Sequence, residues 1–151
     1  MTTKISTLEE LKALEGQEVG VSEWMTITQE QVNLFAEATG DHQWIHVDEE
    51  RAKASQFGGT IAHGFLTLSL IPVFGSQIFD LDMGQAKLNY GCEKVRFTNP
   101  VLVGSKIRAR ATFDSVKEID KGVQVVTTYT VEIEGVERPA LVAQQITLVI
   151  G

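Results

Sequence analysis

The chain has 151 residues, of which 43% are hydrophobic and 22% are charged, and its formal net charge at pH 7 is −7. This composition is typical of a globular protein with a sizeable core, and it excludes a disordered or fibrous chain. The negative charge argues against a nucleic-acid-binding protein, which normally presents a basic face, and an anionic substrate would need a local basic surface.

Neither a membrane span nor an export signal is found in the sequence. No apolar run is long enough to cross a bilayer, and the start, MTTKISTLEELKALEG, lacks the apolar core of a secretory signal. We therefore expect a cytoplasmic protein with no membrane partner. Cys92 is the single cysteine, which excludes an internal disulfide and a cysteine metal cluster. Without repeats or linkers, residues 1–151 are predicted to form one domain.

The first clear element is an amphipathic helix in TITQEQVNLFAEATG. Thr28 followed by Gln31 fits a capping box at its start, and Gly40 stands where a left-handed glycine ends a helix. The apolar spacing predicts one buried stripe, formed by Val32, Phe35 and Ala36.

A second segment, HGFLTLSLIPVFGSQIF, is apolar on every side of a helix. Such a helix is buried rather than lying on a surface, so we predict that it occupies the centre of the fold. Pro72 in its interior is expected to bend it, because proline removes one backbone donor. The residues that surround the helix are Phe65, Leu66, Leu68, Leu70, Ile71, Val73, Phe74 and Ile78.

After residue 85 the apolar period changes to two, which predicts strands. The segments are EKVRFTNPV, SKIRARATF, GVQVVTTYTVEIEG and RPALVAQQITLVI, and turn-forming residues separate them. Such close spacing favours an antiparallel meander. A buried helix with an antiparallel sheet gives an α+β fold in which the sheet wraps around the helix.

The stretch ATGDHQWIHVD, directly after the first helix, contains Asp41 and His46. In a loop, this spacing allows a carboxylate and an imidazole to converge on one water molecule as a general acid/base pair. The alternative is that Asp41 caps local backbone and His46 is a half-buried histidine with satisfied hydrogen bonds. The pattern alone does not separate the two.

A metal site is an alternative for the same stretch, because His42 and His46 are four residues apart and Asp48 is near. A helix presenting both imidazoles on one face is not expected directly after Gly40, and no third ligand has a convincing spacing. We therefore expect no metal.

In the stretch GGTIAHGF, Gly64 stands at the start of the central helix. A free N–H at a helix start, reinforced by the helix dipole, can bind an oxyanion. The alternative is that Gly58, Gly59 and Gly64 simply allow tight turns and close packing.

On the strand that begins near residue 93, Lys94 and Arg96 alternate with Val95 and Phe97, so the two basic side chains share one face. The pattern recurs in the next segment along the chain, with Lys106, Arg108 and Arg110. One explanation is a strand face exposed to solvent, and the other is a phosphate-binding site.

Together, TGDHQWIHVD, FGGTIAHGFLTL and KVRFTNPVLVGSKIRA resemble the MaoC-like family of (R)-specific enoyl-CoA hydratases, the hydratase 2 group. The resemblance is greatest to the small single-domain bacterial branch, some of whose members are labelled nodulation protein N-like. It spans roughly residues 20 to 150, and the joint pattern is specific. It implies a hot-dog fold, an antiparallel sheet curled around a long central helix. It also implies a homodimer with an acyl-CoA tunnel near the interface.

The resemblance implies that Asp41 and His46 are the catalytic pair and that the Gly64 N–H binds the thioester carbonyl. The substrate-binding set also includes Gln43, Trp44, Lys94 and Arg96, with Trp44 either lining an acyl pocket or packing in the core. The chain departs from the family where many members have Asn-Pro, since it has Gln43 and Trp44. Some members steady the aspartate with a serine on the central helix, and the matching position here is Pro72. The orientation of Asp41 must therefore come from elsewhere.

The implied reaction is the reversible addition of water to a trans-2-enoyl thioester, giving the (R)-3-hydroxyacyl thioester. It needs no metal or redox cofactor, and coenzyme A arrives as part of the substrate. His42 and His63 are expected to shape the loops around the pair. The alternatives are a hot-dog acyl-CoA thioesterase and a non-catalytic module that binds acyl thioesters.

Overall fold

The computed structural model describes residues 2–151, which form six helices and eight strands. In chain order the elements are β1 (Thr3–Ile5), α1 (Leu8–Ala13), β2 (Glu18–Val21), β3 (Met25–Thr26), α2 (Gln29–Thr39), α3 (Trp44–Val47), α4 (Glu49–Lys53), α5 (Gly64–Ser69), α6 (Ile71–Ile78), β4 (Phe79–Leu81), β5 (Ala86–Phe97), β6 (Lys106–Ile119), β7 (Gly122–Ile133) and β8 (Val136–Ile150). Four long strands follow residue 85, as predicted, but β5 begins at Ala86, seven residues before the predicted segment EKVRFTNPV. None of the helices within residues 2–151 has the length and apolar character that a membrane crossing requires.

The main sheet is antiparallel, with the strand order β2-β6-β7-β8-β5 and with β3 also paired to β6. The predicted meander is confirmed for β6, β7 and β8 and is wrong for β5, which pairs with β8 through contacts such as Val95 opposite Ala143. The cause is the connection between β5 and β6, residues 98–105, which runs from the edge of the sheet beside β8 to the position of β6. It is held there by long-range backbone bonds from Ala62 N–H to the Val101 carbonyl (2.8 Å) and from Val103 N–H to the Thr60 carbonyl (2.9 Å).

The central helical segment is divided at Leu70 into α5 and α6. Pro72 lies in the first turn of α6, where a missing N–H leaves no helical bond unmade. The proline therefore starts a second helix instead of bending a continuous one, which corrects the expectation from the sequence.

One side of α5 and α6 forms the main core. Its apolar residues pack against the sheet, where Ala109, Ala111 and Ala143 are fully buried and small enough to let the helix approach closely. The segment is not buried on every side, however. Phe65 is 66% exposed and Val73 is 40% exposed, because the sheet of this one chain covers only the opposite side of the helix.

The edge strand β5 leaves large apolar side chains uncovered. Leu88 is 46% exposed and Tyr90 is 66% exposed, and one edge of the strand has no partner strand among residues 2–151. An edge of this length with apolar side chains is typical of a surface that another chain covers.

Candidate active site

Helix α2 carries the chain to the site and ends at a defined point. At its start the capping box of Thr28 and Gln31 is present, as predicted. At its end Gly40 adopts φ 81°, and its N–H donates to the Ala36 carbonyl (2.8 Å). A left-handed residue turns the chain abruptly away from the helix axis, so Asp41 leaves the helix at a fixed angle.

The Asp41 side chain is exposed, and one carboxylate oxygen, Oδ1, accepts a hydrogen bond from the Gln43 N–H (3.2 Å). This is the local capping that one interpretation of the sequence expected. The same side chain also meets the histidines. One ligand atom from each of Asp41, His46 and His63 lies within 4.8 Å of the other two. Local capping and convergence on the imidazoles therefore occur together.

His46 lies in the short helix α3, rather than in the loop that the sequence predicted, and only 5% of it is exposed. Its Nδ1 is 2.7 Å from the carbonyl oxygen of Ile61. Because a carbonyl can only accept, Nδ1 carries the proton and Nε2 of the neutral ring keeps a free lone pair. Burial lowers the pKa of His46 from its ordinary value, which favours this neutral form.

His63 is the functional candidate that sequence reasoning missed, since it was expected only to shape a loop. It is 3% exposed, and its Nε2 lies 3.0 Å from the backbone carbonyl oxygen of Asp41. Its ring stacks on that of His46, with centroids 3.8 Å apart and planes 21° apart. The available signal was its position next to Gly64 in the AHG triplet.

Gly64 is the first residue of α5, so its N–H has no partner within the helix. With His46 it lines a largely apolar cavity of about 400 Å³, whose wall also includes Phe57, Phe97 and Val101. A Cβ at position 64 would lie 3.0 Å from Cδ1 of Phe97. The residue therefore allows close packing and also presents a free backbone donor beside the cavity.

Gln43 and Trp44 are not among the residues that line this cavity. Gln43 is exposed and precedes α3, whereas Trp44 is half-buried with the Arg51 guanidinium 4.2 Å from the centre of its ring. His42 is exposed, and its Nε2 lies 3.7 Å from Oε1 of Glu37. The substrate-binding roles of Gln43 and Trp44 stay predictions.

The structure does not bring Lys94 and Arg96 to the His46 cavity. They line a separate hollow of about 410 Å³ together with Thr128 and Gln144. Their role in binding substrate phosphates stays a prediction.

The basic residues of β6 lie apart from that hollow, because β8 and β7 separate β6 from β5. Arg108 Nε donates to Glu132 (2.9 Å), and Arg110 pairs with Glu132 and with Glu18 (3.3 Å). The two basic segments therefore do not form one continuous strip.

The cluster of Asp41, His46 and His63 supplies the third metal-ligand candidate that the sequence spacing did not indicate. Carbonyl groups engage His46 Nδ1 and His63 Nε2, which leaves Nε2 of His46 and Nδ1 of His63 as the ring nitrogens that these carbonyls do not engage. The absence of a metal stays a prediction.

An antiparallel sheet packed on a central helix, with Asp41, His46 and His63 together at the start of that helix, is the architecture of the hot-dog class. The sequence model of the family described as MaoC like domain matches residues 10–135. The chain belongs to this family. The resemblance inferred from the sequence is therefore confirmed.

Individual proteins agree with this assignment. The 3-hydroxyacyl-thioester dehydratase Z of Mycobacterium tuberculosis is 52% identical over 141 residues, which cover 93% of each chain. Nodulation protein N of Rhizobium leguminosarum bv. viciae is 50% identical over 141 residues, covering 89% of this chain and 85% of that protein. The solved (R)-hydratase from A. caviae has a TM-score of 0.74 at 24% identity over 89% of this chain and 96% of that one. This structural likeness confirms the α+β hot-dog fold.

Proposed function

We propose that the protein is an (R)-specific enoyl-thioester hydratase, which adds water reversibly to trans-2-enoyl thioesters to give (R)-3-hydroxyacyl thioesters. The observation that carries the proposal is the meeting of the Asp41 carboxylate and the His46 ring, together with a cavity that His46 and Gly64 both line. The relative named 3-hydroxyacyl-thioester dehydratase Z supports the same reaction in the reverse direction. We propose acyl-CoA as the substrate form.

The thioester carbonyl makes this addition possible. The Cβ atom of the double bond is electrophilic because the carbonyl oxygen accepts negative charge as water attacks. The Gly64 N–H, at the positive end of α5, is the group that would stabilise this oxygen. One such donor typically contributes about 3–4 kcal/mol of transition-state stabilisation.

Proton transfer falls to Asp41 and His46. With Nδ1 held by the Ile61 carbonyl, His46 offers the Nε2 lone pair to the water molecule, and the Asp41 carboxylate belongs to the same cluster. Water gives its hydroxyl group to Cβ and one proton to the pair, and the pair gives one proton to Cα. The protonation of the pair is therefore unchanged over a complete turnover.

Hydration changes no net oxidation state, so the proposed reaction requires no redox cofactor. The carbonyl charge and both proton transfers are assigned to Gly64, Asp41 and His46, so the proposal includes no metal. Coenzyme A enters only as the carrier of the acyl group.

A homodimer is the proposed assembly. Its support is the uncovered apolar surface around the unpaired edge of β5, where Leu88 and Tyr90 are exposed, and on the outer side of the helices, where Phe65 and Val73 are exposed. Apolar surfaces of this kind on a single chain commonly mark a contact with another chain.

The decisive experiment is an assay of the purified protein with crotonyl-CoA, followed by chiral analysis of the product. We expect loss of the enoyl absorbance and formation of the (R)-3-hydroxy product. Release of free thiol without hydration would instead indicate a thioesterase. Binding of the substrate without turnover would indicate a non-catalytic module.

A further inference from the structure

The orientation of the Asp41 carboxylate is not explained by a side chain of the central helix or by the bonds within its own loop. Pro72, at the position where some family members have a serine, has no hydrogen-bonding side chain and lines different cavities from the one lined by His46. The bonds from Gln43 N–H to Oδ1 and from Asp41 N–H to Thr39 Oγ1 (3.4 Å) are local to the loop. Local bonds shape the loop but do not fix it relative to the helix start.

The bond from His63 to Asp41 makes that connection. The Nε2–H of His63 donates to the Asp41 backbone carbonyl at 3.0 Å, across a separation of 22 residues. His63 itself has little freedom, since it is 3% exposed and immediately precedes α5. On one side its ring stacks on His46, and the Phe35 ring lies 4.9 Å from it. His63 therefore contacts Asp41 and His46 directly and is covalently joined to Gly64.

The bonds of His63 identify the ring nitrogen that acts as the donor. Because a carbonyl can only accept, Nε2 carries the proton that it donates to the Asp41 carbonyl. Nδ1 is buried and has no hydrogen-bond partner among residues 2–151. The bond to Asp41 is therefore the only hydrogen bond that the ring makes within these residues.

We propose that His63 is a positioning residue, whose Nε2–H fixes the Asp41 backbone relative to the start of α5, so that Asp41 and His46 act on one water molecule. The inference rests on the proposed hydratase function. In a chain that has proline at position 72, the bond from His63 orients Asp41.

Two substitutions separate the hydrogen bond from the ring. His63→Phe keeps an aromatic ring against His46 but removes the donor, whereas His63→Gln can place an amide N–H near the position of Nε2. We expect His63→Phe to lower kcat about 10- to 100-fold, because a misplaced reacting group costs about this much. KM should change little, and His63→Gln should recover most of the loss. His42→Gln is the matched control, because His42 is an exposed histidine next to Asp41, and this variant should keep wild-type kcat.

The result that overturns the inference is wild-type kcat in a folded His63→Phe protein, or equal losses in His63→Phe and His63→Gln. Should His63→Phe fail to fold, His63→Asn replaces it, because the shorter amide cannot reach the Asp41 carbonyl. Equal kcat in the Asn and Gln variants would then overturn the inference.

A second measurement does not depend on activity. Histidine ¹⁵N chemical shifts at pH 7.5 should show a proton on His63 Nε2, and a ring protonated only at Nδ1 would overturn the inference. An inactive wild-type protein overturns the proposed function together with the positioning role. An active wild type with unaffected His63 variants overturns the positioning role alone.

Discussion

At the scale of single residues, the bond from His46 Nδ1 to the Ile61 carbonyl decides which ring nitrogen can act on water. It leaves Nε2 as the acceptor, next to a carboxylate that stays accessible to solvent. A buried base beside an exposed acid is a common way to give two groups different protonation states at one pH. Both groups should therefore be needed for turnover.

We expect Asp41→Asn and His46→Gln each to lower kcat/KM for crotonyl-CoA by roughly 10²–10⁴-fold, which is the usual contribution of a general acid or base. Circular dichroism and the melting temperature should show that both variants remain folded. Retention of activity in the two folded variants would contradict the assignment of the pair.

The pH dependence follows from the lowered pKa of His46. Because burial lowers the pKa of His46 from its ordinary value of 6.5, the acid limb of kcat/KM should be centred below pH 6.5. In the unfolded chain the ring binds its proton at about 6.5, so folding stability falls as pH decreases from there towards the lower folded pKa. Thermal melts at pH 6.5 and at successively lower pH should show that the wild type loses stability relative to His46→Gln. A parallel pH dependence of the two proteins would contradict the lowered pKa.

At the scale of elements, capping residues within the local sequence predict a helix well, whereas support from distant residues cannot be inferred from the local sequence. The ends of α2 were predictable because Thr28, Gln31 and Gly40 cap it from within its own sequence. Helix α3 was not, since it has four residues and no side-chain cap. Its support comes from distant partners, including the Gln29 side chain, which donates to the His46 carbonyl (2.8 Å).

The C-terminal glycine of α2 gives a stability prediction. Gly40→Ala should lower the free energy of unfolding by about 1 kcal/mol, because a side chain disfavours the left-handed conformation. No atom would crowd the added Cβ, so strain is the only source of the loss. Gly91→Ala is the matched control, since position 91 is equally open and has no positive φ. Equal urea midpoints for the two variants would contradict the prediction.

The start of α5 gives a prediction about activity. Gly64→Ala places a Cβ 3.0 Å from Cδ1 of Phe97, so either the ring or the helix start must move. Displacement of the backbone donor should lower kcat by about tenfold or more. Gly59→Ala is the control, because its Cβ would meet Leu102 at an ordinary 3.5 Å. If Gly64→Ala is as active as Gly59→Ala, the result would contradict the role of the Gly64 N–H as a donor to the substrate.

At the scale of the whole molecule, the period of two predicted four strands and the sheet, but not the place of β5. The choice between the edge beside β6 and the edge beside β8 depends on how residues 98–105 cross the fold. The place of His63 was hidden for the same reason, since its partners Asp41 and His46 lie 22 and 17 positions away. Sequence patterns indicate local structure. The relative positions of residues from several loops depend instead on how the whole sheet is assembled.

The uncovered apolar surface predicts the assembly. Light scattering after size exclusion should give a dimer at micromolar concentration, and Tyr90→Lys should shift the mass towards a monomer, because a buried charge without a partner is costly. Leu34→Lys is the control, since Leu34 is 63% exposed on α2, outside this surface. A monomeric wild type, or an equal effect of the two lysines, would exclude the proposed interface.

The crossing between β5 and β6 has a consequence for the order of folding. Its backbone joins Val101 to Ala62 and Val103 to Thr60, so the wall of the cavity closes only when segments some 40 residues apart have met. Contacts of such high sequence separation are slow to form. The amide of Ala62 should therefore exchange with deuterium only through global unfolding, and the recovery of activity during refolding should coincide with the last phase of sheet formation.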